Sequence, residues 1–344
     1  MRAKASRMPR LVIVDPAEPD PMVISEAVSV LRGGGLLAFP TETVYGLGAR
    51  ALDAAAVGRI FAAKGRPVSH PLIAHVLDEG QARALADSWN ELASTLAVAF
   101  WPGPLTLVVD RGQHVPAALS GSGGSIAVRA PLHPVARALI SALGEPIAAP
   151  SANRYQGVSP TIAAHVVKEL GDSVDLVVDG GSCHAGVEST VVDTRGGVAR
   201  VLRPGAVSLA LLREVVQVEV AAGTLAEGQS HASPGMDARH YAPRARLLLV
   251  ETWEEARRIA GGLASSGESV GLVVHDPREK SAAPSQAVVR WLPREPSEYA
   301  RLLYCTLHEL DDAGVDVIVA QAVPEGDAWW AVADRLRRGA SPPP

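Results

Sequence analysis

The chain has 344 residues, 47% of them hydrophobic and 20% charged, with a net charge of −5 and two cysteines. That length and apolar fraction suffice for a sizeable core and suggest two domains, while the near-balanced charge excludes a global field drawing the chain to nucleic acid or an anionic membrane. Cys183 and Cys305 lie far apart, which excludes a disulfide framework and a cysteine-rich zinc site and fits a reducing compartment.

From the start of the chain, the basic MRAKASRMPR precedes an apolar run at residues 11–14 that is only a strand's length, too short for a signal peptide. No window approaches the ~18 consecutive apolar residues of a membrane helix, so a cytoplasmic protein without a membrane partner is expected. Residues 36–39 are apolar, lie between three glycines and Pro40, and read as a short buried strand. Thr41, Glu42, Thr43 and Tyr45 follow, where ligands collect beyond strand ends in open α/β sheets, with Gly46 and Gly48 leaving room for backbone to approach a ligand. A tight polar turn between a strand and a helix is the alternative, and the segment alone does not choose.

Strand-like runs at 72–76, 105–109, 126–129 and 176–178 alternate with helical candidates at 25–32, 53–63, 134–143 and 160–170, several opened by Pro or a capping side chain. The alternation predicts an α/β fold with a mixed sheet. Residues 221–246 lose apolar periodicity and read as a linker. Alternation resumes with strands at 247–250, 270–274, 288–292 and 315–319 and helices at 254–263, 296–310 and up to 338. The predicted division is therefore a first domain over 11–220, a linker over 221–246 and a smaller α/β domain over 247–340.

Familiar catalytic signatures are absent: no phosphate-binding G-x-x-x-x-G-K-[ST], no H-E-x-x-H, no C-x-x-C. Gly267 to Gly271 match G-x-S-x-G, but the strand follows the serine, the wrong context for a nucleophile elbow. Cys183 and His184 are adjacent in a Gly-rich loop and read as structural or incidental rather than as a thiolate pair.

Cationic and hydroxyl groups instead cluster at strand and helix ends. Lys64, Gly65, Arg66 and Pro67 close the helix at 53–63, with His70 and His75 beyond; a point charge plus a planar fork suits a polyphosphate, although a solvated helix terminus reads the same way. Ser151 and Asn153 follow a short apolar run, and Ser159 before Pro160 is either a helix N-cap or part of an anion cradle. Ser125 opens a run ending in Arg129, which could hold a carboxylate, and Glu188, Ser189, Thr190 and Arg203 complete the set.

The blocks AFPTETVYGLGA, KGRP with HPLIAHV, WPGPLTLVV, SIAVRAP, APSANRYQGVSPT, GVESTVVD and VLRPGA occur in the order and spacing of the YrdC-like domain of threonylcarbamoyl-AMP synthases. This resemblance covers nearly all of residues 20–215, and SPGMDARHYAP with the following α/β segment resembles the family's two-domain branch. It implies a YrdC-like twisted mixed sheet with flanking helices, plus a smaller Rossmann-like C-terminal domain. It also implies a nucleotidyltransferase that joins L-threonine, bicarbonate and ATP into threonylcarbamoyl-AMP and pyrophosphate, for threonylcarbamoyladenosine modification of tRNA by a downstream transferase machinery. The alternatives are another carbamoyl-adenylate-forming enzyme or a non-catalytic ATP- or threonine-binding regulator. No stable nucleic-acid binding is expected.

Residue by residue, the resemblance places Thr43, Tyr45, His75, Arg129, Ala149 and Ser189 around threonine. It places Arg66, His70, Ser125, Ser151, Ser159, Arg203 and Tyr241 on ATP, and Lys64, Arg66, Ser151 and Asn153 at the reaction centre. Mg²⁺ is implied with ATP, carried mainly by phosphates. His70 stands where family members commonly have Asn, and Asp237 and Ala238 replace a basic-aromatic pair. A linker bringing Tyr241 to the pocket could act as a lid. Glu42 is retained by the family match but receives no role from it.

Overall fold

The computed structural model describes residues 9–121, 123–221, 239–275, 284 and 286–342. The masked remainder includes most of the predicted linker, with Asp237 and Ala238, so those expectations lie outside the described residues. The chain divides into two units, the first formed by described residues up to 155 with 160–184 and 188–221, the second by 156–159, 185–187 and the described residues from 239 onward. Two short pieces of the N-terminal sequence thus pack with the second unit, which a linear division at residue 220 does not anticipate.

The first unit holds the strands β1 (Arg10–Ile13), β2 (Leu37–Phe39), β3 (Gly46–Arg50), β4 (Ile73–His75), β5 (Leu105–Asp110), β6 (Ser125–Arg129), β7 (Ile147–Ala148), β8 (Leu176–Asp179), β9 (Thr190–Asp193), β10 (Ala199–Arg203) and β11 (Val218–Val220). They form one mixed sheet in the order β1-β8-β2-β3-β7-β4-β6-β5-β9-β10-β11. The central strands are buried on both faces, so β5 and β6 read as nearly continuous apolar runs rather than alternating ones. Its helices are α1 (Pro21–Arg32), α2 (Ala54–Lys64), α3 (Glu79–Leu85), α4 (Glu91–Phe100), α5 (Pro134–Leu143), α6 (Ala163–Leu170) and α7 (Leu209–Val215).

Helix α5 illustrates the logic. Pro134 sits in its first turn, and Val135, Ala136, Leu139, Ile140 and Leu143 form one apolar stripe. That stripe joins Ile24, Ala27, Val28 and Leu31 of α1 in a core against Leu37, Phe39 and Ile147 of the sheet. Helices α3 and α4 are not among the expected elements; they are short, and each is opened by a polar cap, Asp78 or Asn90, that accepts from a backbone amide.

Two local expectations are corrected. The segment after β2 does not lead into a helix: β2 and β3 are antiparallel, and residues 40–45 connect them as a hairpin loop. Gly46 and Gly48 lie within β3, and a Cβ on Gly48 would meet Phe39 Cε1 at 2.7 Å and Ile147 Cγ2 at 2.9 Å. The residue is small to admit the Phe39 ring, not a ligand. Helix α6 starts at Ala163, with Ile162 as an N-cap that makes no side-chain bond, so Ser159 is not the cap.

The second unit has four parallel strands, β12 (Arg246–Val250), β13 (Val270–Val274), β14 (Ala287–Trp291) and β15 (Val317–Gln321), in the order β12-β15-β13-β14. Helix α8 (Trp253–Ser265) packs Trp253, Ala256 and Ala260 on Val270, Leu272, Val274, Val317 and Val319. Helices α9 (Pro296–Asp312) and α10 (Trp330–Ala340) complete it. All-parallel order with crossover helices is the Rossmann-like arrangement expected. Residues 239–246 are built into this unit: His240 N donates to Arg338 O and Ala242 N to Gln156 O. Among the described residues no helix is long and apolar enough to cross a membrane.

Gly48→Ala should lower stability by about 1–3 kcal/mol, as overpacking does, read from the urea midpoint. An unchanged midpoint would mean that the Phe39 ring moves aside freely.

Candidate active site

Arg129, at the end of β6, is 3% exposed and held at three points. Its Nη2 lies 2.7 Å from Glu42 Oε1, its Nη1 donates to Thr43 Oγ1 at 2.9 Å, and its Nε donates to Gly103 O at 3.3 Å. Burial alone would raise the Glu42 pKa, but the Arg129 guanidinium overrides it and holds the carboxyl below its ordinary value. The hairpin loop brings Glu42 and Thr43 here because Thr41 organises it. Thr41 Oγ1 is 2.8 Å from Thr43 Oγ1, donates to Val44 O at 2.7 Å and accepts from the amides of Thr43 and Val44.

His75 is paired with Arg129 across β4 and β6, and Ala149 N donates to Ile73 O beside it. Burial, reinforced by the Arg129 charge, pushes His75 down to about 3. Tyr45 is fully buried, but its hydroxyl is engaged by Gly181 O at 2.6 Å and Asp179 Oδ1 at 3.2 Å. Its ring can line a wall, while its phenol, shifted upward by burial and by Asp179, anchors the loop at 179–181.

The Lys64 loop follows from how α2 ends. Asp53 caps the helix start, accepting from Ala55 N and Ala56 N, and Gly65 ends it at φ 64°, a left-handed turn that places Arg66 off the helix axis. Lys64, 3% exposed, donates from Nζ to Ser151 O at 2.6 Å and to Asn153 O. Burial, with Arg66 pushing the same way, holds its pKa well below the usual lysine value. Arg66 donates from Nη2 to Pro71 O at 3.1 Å, and its Cζ lies 5.9 Å from the Tyr155 ring centre. Tyr155 Oη is 3.4 Å from His70 Nδ1. Lys64, Ser151 and Asn153 therefore meet directly, and Arg66 and His70 meet through Tyr155, for which the sequence reading had no role.

A third cluster forms where β9 begins and β10 ends. Arg203 Nη2 donates to Ser189 O at 2.8 Å and reaches Ser189 Oγ at 3.2 Å, while Ser189 Oγ is 2.7 Å from Thr106 Oγ1. Backbone links lace the clusters together: Gly46 bridges to Ser151, Tyr155 N donates to Lys64 O, and Thr190 N donates to Pro104 O next to the Gly103 that receives Arg129.

Three expected residues lie at other places in the fold. Ser125 opens β6, four residues before Arg129, a separation of about 13 Å in an extended strand. Ser159 and Tyr241 belong to the second unit. There Ser159 O accepts from His308 Nε2 at 3.2 Å, and Tyr241, at φ 61°, has Arg335 Cζ 4.7 Å from its ring centre. Cys183 is a buried thiol pushed up by burial, which fits a structural role. Thr106 and Tyr155 are residues that the sequence does not single out, and for Thr41 and Glu42 it gives a place beyond a strand end but not their partners.

Residues 29–205 match the family model of Sua5, YciO and YrdC proteins, described as telomere recombination, and residues 207–341 match the threonylcarbamoyl-AMP synthase C-terminal domain. The threonylcarbamoyl-AMP synthase of Pyrococcus abyssi is 40% identical over 319 residues, covering 91% of this chain and 92% of its own. The chain belongs to the threonylcarbamoyl-AMP synthase family. The Bacillus subtilis member is 37% identical over 322 residues, 92% of each chain. The crystal structure of P. abyssi Sua5 complexed with L-threonine superposes with a TM-score of 0.90 at 38% identity, covering 96% of this chain and 97% of that one. Escherichia coli YciO matches 58% of this chain with a TM-score of 0.53 at 27% identity. Threonylcarbamoyl-AMP synthases are nucleotidyltransferases acting in tRNA processing, and this chain is an enzyme of that family.

His75 and His133, the latter lowered to about 4 chiefly by burial, are neutral in the fold at pH values where they are charged in the unfolded chain. Their contribution is complete above about pH 6.5 and is lost as pH falls towards their folded values, each adding up to about 1.4 kcal/mol per pH unit to the slope. Urea midpoints between pH 7 and 5 should therefore fall with acid, and His75→Gln should flatten that slope. An identical slope in the variant would contradict the assignment.

Proposed function

We propose that this chain forms L-threonylcarbamoyl-AMP and pyrophosphate from L-threonine, bicarbonate and ATP, with Arg129 and Thr43 receiving the amino acid and the Lys64, Ser151, Asn153 and Arg66 group receiving the triphosphate. The observation that carries this reading is the buried Arg129 guanidinium seated beside Thr43, a planar donor fork suited to an amino acid's carboxylate. In this reading threonine's amine takes up carbon dioxide from bicarbonate as an N-carboxylate. One of its oxygens attacks the α-phosphorus and pyrophosphate leaves. Such a displacement needs alignment and charge neutralisation rather than a covalent nucleophile.

Lys64, gripped by two carbonyls and shielded from water, would present a fixed donor to phosphate oxygens. His75, neutral at physiological pH, would line the amino-acid side without adding charge. Ala149 and Ser189 complete that side in this reading, and His70, Ser125, Ser159, Arg203 and Tyr241 the nucleotide side. Among the described residues no group of three or more His, Cys, Asp or Glu could hold a metal ion, and Glu42 is already paired with Arg129. In this reading Mg²⁺ would arrive on the nucleotide, neutralising its phosphates. The product would pass to a tRNA threonylcarbamoyl transferase machinery.

Pyrophosphate release from ATP should require both threonine and bicarbonate; release indifferent to threonine would overturn the reading. Arg129→Ala should raise the threonine KM roughly 10- to 100-fold, the scale of a lost charged hydrogen-bond pair. Lys64→Ala should instead lower kcat with little change in either KM, and equal losses of threonine affinity in the two variants would contradict this division of roles.

A further inference from the structure

We infer that Glu42 is a positioning residue for the amino-acid subsite, acting through Arg129 rather than on the substrate; this rests on the assignment of Arg129 to threonine. Glu42 and Arg129 are buried together, with side-chain exposures of 8% and 4% and a separation of 2.7 Å. A buried guanidinium without a counter-ion is strongly destabilising, and one with a single partner can still swing about its long stem. Here Glu42 fixes Nη2, Thr43 fixes Nη1 and Gly103 O fixes Nε. Two hydrogen bonds and one close ion pair, on three different nitrogens, restrict both the plane and the rotation of the fork. Each terminal nitrogen still has a second N–H, so a bidentate carboxylate can be received without breaking the seat.

Glu42 is itself carried by a rigid support. The loop at 40–45 is closed by the β2–β3 pairing and by the Thr41 contacts to Thr43 and Val44, so the carboxylate arrives at a fixed place. Displacing the fork by about 1 Å is enough to cost substrate binding heavily. Glu42 therefore governs threonine affinity while leaving the nucleotide group, built on Lys64 and Ser151, unaffected.

The test is a double-mutant cycle on steady-state pyrophosphate release, with circular dichroism confirming the fold of each variant. Glu42→Ala should raise the threonine KM about tenfold, with kcat and the ATP KM within about twofold. Glu42→Gln, which keeps the shape of the side chain but not its charge, should recover part of the loss. The Glu42→Ala/Arg129→Ala double variant should be no worse than Arg129→Ala alone, because the two residues act as one unit. Should Glu42→Ala not fold, Glu42→Asp, which keeps the charge but withdraws the acceptor, replaces it in the same cycle. Additive losses, a kcat loss matching the KM effect, or Glu42→Gln no better than Glu42→Ala would each overturn the inference. Arg129→Ala without effect on threonine would instead overturn the assignment of Arg129 and this inference with it, whereas a sensitive Arg129 with an insensitive Glu42 overturns this inference alone.

Discussion

The candidate site depends on a charge placed where water cannot reach it. Arg129 is buried at the end of a central strand, and the fold tolerates it because Glu42 is buried with it and Thr43 and Gly103 take up further N–H groups. The requirement propagates outward. Glu42 has to come from a loop that cannot wander, so β2 and β3 form a hairpin; the hairpin has to pack closely, so Gly48 leaves space for Phe39. The same strand pairing carries the neighbouring residues: Gly46 is bridged to Ser151, whose carbonyl receives Lys64. One buried cation thus organises the hairpin, and the hairpin ties the two halves of the site together.

Much of this architecture was legible in the sequence, and the pattern of failures is physical. Mostly apolar runs such as those of β5, β6 and β13 stand out because strands buried on both faces have few polar positions. Helix α5 announced itself by a proline at its start and a full apolar stripe. By contrast α3 is only seven residues long and offers little periodicity to detect. The start of α6 was misplaced because Ser159 and Pro160 have the chemistry of a helix opening, while packing with the second unit claims residues 156–159 instead.

The site divides along the same line. Residue types that favour anion binding, Lys64, Arg66, Arg129 and Arg203, could be picked out one by one, since their chemistry is local. Their partners could not. That Glu42 pairs with Arg129, far along the chain, or that Thr106 meets Ser189 from another strand, depends on sheet order. A sequence states donors and acceptors; only the strand pairing states who satisfies whom. Tyr155 shows the cost of that gap, because an unremarkable tyrosine between two motifs proves to be what Arg66 and His70 share.

The threonine hydroxyls of the hairpin also have a direction. Arg129 can only give hydrogens and the Val44 carbonyl can only take one, so in the chain Arg129, Thr43, Thr41, Val44 each hydroxyl proton points away from the arginine. Thr43 has therefore spent its proton on Thr41 and keeps only a lone pair for anything that enters. Next to a guanidinium that offers nothing but hydrogens, this makes the subsite polar in the sense of having two unlike ends. A molecule bearing both an anion and a hydrogen-rich cation would fit such a subsite in one orientation and be turned away in the other.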